Sequence, residues 1–407
     1  MESINKEQIP PLLLAQKTIP DLIAMYEKLL YEDYLPFLEK YVFDHQNGGF
    51  KWNTTYSGKN LSTHKRTWYD ARGAWVYSYL YVYMNQKEHF LDKAAQTISL
   101  LLKVNEDEGK LWPWAYGEEG QPLIEEEPDI YGNLFVAEAL GLYSKAAGKP
   151  EYYIKAKNIL LQCWQRYVNP DYVYNLPYSP DPAFKKAAVV LGHWMIFLRV
   201  CTGLLKIKED NHLKEIADQC IEALIDKHQI EPHQLMLEVL GADFQPITGE
   251  MSEFVYIGHA IEALWMIMDE ADRRADEELF EKAAQRFRRH VEVAWDDVFG
   301  GVFHCLNHIG SNDWDVNKVL WAQHETLIGL LILIEKKKDP WAIDFYSKMF
   351  DYLLGHFIQK DMPMCPWKIG GNRYLSEQEE GSRIENYHHP RGLMLGLYYL
   401  NKLKQRN

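Results

Sequence analysis

GGFKW at residues 48–52 and GGVFHCL at 300–306 belong to a set of six short segments that punctuate this chain. The others are GKLWPW from 109, DYVYN from 171, HQLMLEV from 233 and CPWKIGG from 365. Glycine, proline and asparagine next to aromatic and β-branched residues read as a turn with a short strand. The segments recur roughly every 62 to 67 residues, an internal period. Apolar residues at helical spacing run through 65–84, 133–147, 151–166, 211–226, 257–272, 277–293, 318–336, 340–356 and 390–404. One period holds two helices and a turn, and six periods fill the chain. No Pro/Ser-rich hinge divides it. The expectation is one all-α domain over residues 1–407. It is an (α/α)6 barrel, six helical hairpins closed into a ring, with short β-hairpin loops at one end and a pocket inside. An open solenoid is the alternative that the period allows.

Composition narrows the function. Of 407 residues, 47% are hydrophobic, ample for a large core. The formal net charge is −14 and no run of five Lys/Arg occurs. Nucleic acid and anionic membranes attract cationic surfaces, so neither is an expected partner. Cysteines 163, 201, 220, 305 and 365 are scattered without a CxxC. That suits a reducing cytoplasm better than a disulfide framework or a zinc site. The start, MESINKEQIPPLLLAQKT, is a poor signal peptide, and no stretch approaches about eighteen uncharged apolar residues.

Two helix starts echo each other. Lys65-x-x-Trp68-x-Asp70-Ala71-Arg72 has the spacing of Lys318-x-x-Trp321-x-Gln323-His324-Glu325, four periods on. Trp68, Arg72, Trp75 and Tyr79 share one helical stripe, as do Trp321, Glu325, Ile328 and Ile332. A charge inside an aromatic stripe is costly unless paired or solvated in a cavity. The bland reading is a buried ion pair. The functional one is a polar pocket floor whose tryptophans stack on sugar C–H faces.

A third helix reads GHAIEALWMIMDEA from Gly258, with His259 and Glu262 one turn apart on one face. Near the C-terminus, ENYHHPRGLML at 385–395 sets two histidines before Pro390. Proline suits the first helical position, so a helix is expected to begin there, with His388 and His389 in the preceding loop. Adjacent loop residues point to opposite sides, so one histidine faces the pocket and the other faces out. A helix N-terminus disfavours a cation, which keeps such a histidine neutral. Arg391 in the first turn defies that preference.

Two neutral-range bases on different walls suit removal and return of a proton on opposite faces of a carbon α to an aldehyde. The resulting enediolate needs a cation, which Arg72 can supply. No HExxH, HxH, P-loop, GxGxxG or GxSxG pattern is present, so neither metal nor cofactor is expected.

The four motifs in this order resemble the N-acylglucosamine 2-epimerase superfamily, which also holds cellobiose 2-epimerases and mannose-type isomerases. The family's Lys, Trp, Gln-Ala-Arg is similar to Lys65, Trp68, Asp70-Ala71-Arg72, with Asp for Gln. Gly258 to Ala263 matches Gly-His-Ala-Ile-Glu-Ala in full. Lys318, Trp321 and Glu325 match the third motif, and Tyr387, His388, Pro390 and Arg391 the fourth. The resemblance implies an (α/α)6 barrel, with His259 and His388 as acid–base pair and Arg72 and Glu325 as essential supports. His389 then fills a variable position. It implies Glu262, Trp68, Trp321, Lys318, Arg391 and Tyr387 around the sugar, and it is the sole warrant for a homodimer.

Cellobiose 2-epimerases tend to carry Asn and His four apart on a middle inner helix, where VVLGHWMIFL here offers Leu191 and Met195, with His193 displaced. That leans toward interconversion of N-acetylglucosamine and N-acetylmannosamine. Another aldose 2-epimerase, an aldose–ketose isomerase, an (α/α)6 glycosidase using Glu262 and Glu325, and a non-catalytic sugar-binding protein are the rivals.

Overall fold

The computed structural model describes residues 12–107, 109–121, 123, 130–172, 188–358, 364–371 and 383–406. Its helices, in chain order, are α1 (Ile19–Glu27), which winds on to Val42, α2 (Thr67–Tyr79), α3 (Glu88–Val104), α4 (Ile130–Ala147), α5 (Pro150–Tyr167), α6 (Leu191–Leu205), α7 (Asn211–Glu222), α8 (Ile257–Arg274), α9 (Glu277–Ala294), α10 (Leu320–Lys337), α11 (Pro340–His356) and α12 (His388–Arg406). Even-numbered helices form the inner ring, each packed on the next from α2 to α12. Odd-numbered helices wrap them, and α1 covers α12, so the first outer helix shields the last inner one. The ring closes where Asn386 donates to the Tyr69 carbonyl (2.9 Å) and Trp75 meets Tyr387 edge-on (5.4 Å). The result is the (α/α)6 barrel, with a main apolar core running from Leu14 to Leu403 and a small second cluster around Val190, Val239, Met251, Phe254 and Cys305.

The two rings differ as their surroundings demand. The outer α9 is amphipathic and buries Phe280, Ala284, Phe287 and Val291 on one face. On the inner α6 every side chain except Arg199 and Gly203 is buried. A helix enclosed on all sides shows no polar stripe, which explains why periodicity did not separate 191–205 from its flanks. The helix at 88–104 and the helical stretch at 19–42 were likewise not singled out. Of the 171-onward turn segment, only Asp171 and Tyr172 lie within the described residues.

Short strands tie the N-terminal ends of the inner helices together. Some are local hairpins, as Cys305–His308 with Asp313–Asp315. Others join neighbouring repeats. His64–Arg66, leading into α2, pairs with Ala115–Gly117, and Lys318–Val319, leading into α10, pairs with Lys368–Ile369.

The sequence echo is an echo of structure. Asp44 and Asp296 each open an Asp-x3-Gly-Gly turn whose carboxylate accepts the next free backbone N–H groups, from Gln46 and Asn47 and from Val298 and Phe299. The glycines take φ near +75° in both turns (+78° and +74°, +77° and +77°), a region other residues rarely adopt. Lys65 pairs with Asp44 (2.9 Å) and Lys318 with Asp296 (2.7 Å). From the helix above, Gln323 accepts from the Val302 N–H (2.9 Å) and returns a bond to its carbonyl (3.1 Å). Asp70 holds the Phe50 N–H in the same way (2.6 Å), with the Tyr116 hydroxyl donating to its other oxygen.

Asp70 differs from Gln323 in carrying a titratable group. Burial raises its pKa from 3.8 to about 6, although Lys65 and the two hydrogen bonds oppose that. The folded state therefore binds more protons than the unfolded chain between about pH 4 and 6, and stability falls as pH rises through that window. Asp70→Asn keeps an acceptor for Phe50 and removes the charge. It is expected to raise stability at pH 8 by up to about 2–3 kcal/mol, with the gain gone below about pH 4. Thermal melts across pH check this; a variant less stable than the parent at pH 8 refutes it.

Candidate active site

α12 begins at His388, two residues before the expected start at Pro390. Glu385 is the reason: its Oε1 accepts from the N–H groups of Tyr387 and His388 (3.1 Å each), capping orphan donors ahead of the helix. Proline sits in the first turn all the same, where a missing N–H costs nothing.

This start aims His388 into the barrel. Its Nδ1–H donates to Glu325 Oε1 on α10 (2.9 Å), which leaves Nε2 as the available nitrogen. Glu325 is fully buried, and its Oε2 accepts from the Trp265 indole (2.9 Å). Arg391, one turn on from Tyr387, sends Nη2 to both Glu325 (2.7 Å) and Glu262, 3.1 Å from His388 Nδ1. Burial, aided by this guanidinium and opposed by Glu262, pulls the His388 pKa down to about 3. His388 is thus neutral.

His259 sits in the first turn of α8 with the same arrangement. Its Nδ1 meets Glu238 Oε1 (2.9 Å), again leaving Nε2 available. Burial would lower this imidazole, but the Glu238 carboxylate outweighs it and the pKa ends above the usual value. The two histidines are therefore tuned in opposite directions. The ring of Trp321 lies 5.7 Å from His259 and 5.5 Å from His388. Its seat requires Gly258, where a Cβ would stand 2.2 Å from the indole.

Arg72, in the second turn of α2, is the cation of the site without a carboxylate. Among the described residues it makes no ion pair, and its Nε has no hydrogen-bond partner. Aromatic faces hold it instead: Phe135 at 4.0 Å, Tyr387 at 5.0 Å and Trp68 at 5.1 Å. A buried guanidinium with unused donors is suited to an anion that forms beside it.

Glu262, Glu325 and His388 offer ligand atoms within 4.8 Å of one another, a spacing that a metal ion could use. The Arg391 guanidinium already binds both carboxylates there and offsets part of their negative charge.

Three of the residues expected around the sugar are held by protein groups. Lys318 is fully buried and its ammonium closes on Asp296 and the Val316 carbonyl, where it braces the Gly-Gly turn. Arg391 is fully buried behind His388. Tyr387 is buried too, its hydroxyl donating to Glu138 (2.9 Å) and accepting from Arg391 (3.1 Å). These two position other groups. His389 does not face solvent either. It is buried, with Nδ1 2.8 Å from His324 Nε2 and its ring edge-on to Tyr34 (5.1 Å). Because the helix starts at His388, the two residues diverge by about 100°, not 180°, and His389 lands in the barrel wall.

Glu238, Glu138 and Trp265 were not singled out from the sequence. Glu238 left a signal, a carboxylate within the apolar run HQLMLEV. Its partner His259 is distant in sequence, and a pairing across 21 residues leaves no local pattern.

Comparison with known proteins agrees with this geometry. The sequence model of N-acylglucosamine 2-epimerase (GlcNAc 2-epimerase) matches residues 48–388. N-acylglucosamine 2-epimerase of Mus musculus is 24% identical over 336 residues, 79% of this chain and 78% of its own. Cellobiose 2-epimerase of Dictyoglomus turgidum is 26% identical over 359 residues, 85% of this chain and 90% of its own. Among solved structures, cellobiose 2-epimerase from Bacillus thermoamylovorans B4167 superposes with a TM-score of 0.82 at 19% identity, covering 93% of this chain and 99% of that one. With the motifs on one barrel end and a match across most of its length, this chain belongs to the N-acylglucosamine 2-epimerase family.

Proposed function

We propose that this chain is a sugar 2-epimerase that interconverts N-acetylglucosamine and N-acetylmannosamine. The reaction runs through the ring-opened aldehyde. Neutral His388 takes the C2 proton, and the electron pair moves onto the C1 oxygen to give an enolate, which for a 2-hydroxy sugar would be an enediolate. Protonated His259 then delivers a proton to the opposite face of C2, and the reverse reaction exchanges the roles. Arg72 stabilises the oxyanion. The observation that carries this reading is the pair of imidazoles, each held through Nδ1 by its own carboxylate and tuned in opposite directions. Such a pair shares one proton, as a two-base exchange requires.

A glycosidase reading fits less well. It needs two carboxylates set apart across the scissile bond. Glu262 and Glu325 instead converge on one guanidinium.

The choice of sugar rests on α6. Leu191 and Met195, where the cellobiose branch tends to carry Asn and His, are buried apolar residues, and His193 packs between Tyr131 (6.0 Å) and Tyr167 (5.3 Å). The similarity to the Dictyoglomus turgidum enzyme favours cellobiose as the second reading. A panel of free sugars in D2O, followed by NMR, separates them. N-acetylglucosamine is expected to give N-acetylmannosamine with deuterium at C2. Turnover of cellobiose or mannose with inert N-acetyl sugars sinks the substrate assignment and keeps the epimerase.

A further inference from the structure

The C-terminal halves of the inner helices enclose a second cavity of about 270 Å3, at the end of the barrel away from the histidines. The two chambers share a floor. Trp265 donates to Glu325 on the catalytic side, and its ring lies 5.4 Å from Arg391 and 5.6 Å from Arg199. Glu138 accepts from the Tyr387 hydroxyl on that side and from Arg199 Nε (2.7 Å) on the cavity side. Nothing in the C2 chemistry uses Arg199 or the space beyond it.

We propose that this opposite mouth is a second binding site, for a small neutral polyhydroxylated ligand of monosaccharide size. Four properties of the cavity point there. Its volume is close to the lower end of small-molecule pockets, about 300 Å3. Its wall and rim are aromatic, from buried Trp75 and Trp265 to half-exposed Tyr398, and aromatic faces pack on sugar C–H surfaces. Its charges are already matched, Arg199 with Glu138 and Lys206 with Asp269 (2.6 Å), so a charged ligand would have to break an ion pair. A wholly apolar ligand would strip water from those same pairs without replacing its hydrogen bonds. Hydroxyl groups satisfy both conditions, since they donate to carboxylate lone pairs and accept from spare guanidinium N–H groups.

Gly203 makes the proposal testable. It lines the cavity on α6, its φ is ordinary, and a Cβ there meets nothing within 4 Å. Gly203→Phe therefore places a ring at the exposed mouth of the cavity, away from His259 and His388, and it replaces a poor helix former. The probe is methyl β-D-glucopyranoside, which cannot open its ring and is not turned over. Equilibrium dialysis of the full chain at millimolar concentrations is expected to show that Gly203→Phe binds one equivalent less than the parent, while epimerase turnover stays within about twofold. No binding by the parent, or equal binding by the two proteins, overturns the proposal. If Gly203→Phe does not fold, Tyr398→Ala decides. Removing one rim ring is expected to weaken binding about fivefold, and unchanged binding overturns the proposal.

Discussion

His388→Asn and His259→Asn are each expected to cut net epimerisation by at least about a hundredfold, the scale of a general acid–base contribution. Each variant keeps the base that faces one epimer's C2 proton. Run in D2O, the two are therefore expected to wash deuterium into opposite epimers without forming product. One residue acting on one face restores the starting configuration, so exchange without inversion is the signature of a severed pair. His389→Asn is the contrast. It is expected to leave turnover within a few-fold, because His389 contacts His324 and Tyr34 and not the carboxylates of the site. It lowers the melting temperature instead, because a buried hydrogen bond is broken. Retained epimerisation in either catalytic variant, or exchange into the same epimer in both, favours a single-base isomerase.

Arg391→Met is expected to destabilise the fold by about 3–5 kcal/mol, the range for stripping one partner from a buried ion pair. The guanidinium is the shared partner of two carboxylates that are themselves almost fully buried, Glu262 at 3% and Glu325 at 0% exposure. Without it they face each other uncompensated. Adding Glu262→Gln removes one of those charges and is expected to recover part of the loss. Denaturant unfolding of the single and double variants measures both. A single-variant cost below about 1 kcal/mol would show that the cluster sheds its charge by taking up protons. Activity falls in parallel, because Glu325 can no longer hold His388 at Nδ1 in one orientation.

How much of this was legible beforehand follows from how local each feature is. The Gly-rich aromatic turn segments, the Lys-x-x-Trp helix starts and the period near 62 to 67 residues are short-range patterns, and they pointed to repeated helical hairpins. The equivalent positions of Arg72 and Glu325 near the starts of two inner helices followed from the same repeats, whereas His388 was expected in a loop and stands at a helix start. The residue roles behind those positions did not. The resemblance places Lys318 around the sugar, and in the structure its ammonium turns back to Asp296 in the preceding loop. The resemblance places Arg391 around the sugar, and in the structure two distant helices supply its carboxylates.

By itself, the sequence determined the fold class, the repeat, and the end of the barrel at which the chemistry-bearing residues gather. These depend on periodicity and turn chemistry, which are written in neighbouring residues. Only the tertiary structure decided which carboxylate each histidine faces, that Arg72 lies among aromatic rings with no ion pair among the described residues, and that His388 and His259 are tuned in opposite directions. Those outcomes depend on burial and on charges brought within about 3 Å from segments 21 to 129 residues apart. Electrostatic energy in a low-dielectric interior is set by such distances and by lost hydration, and neither is encoded in local spacing.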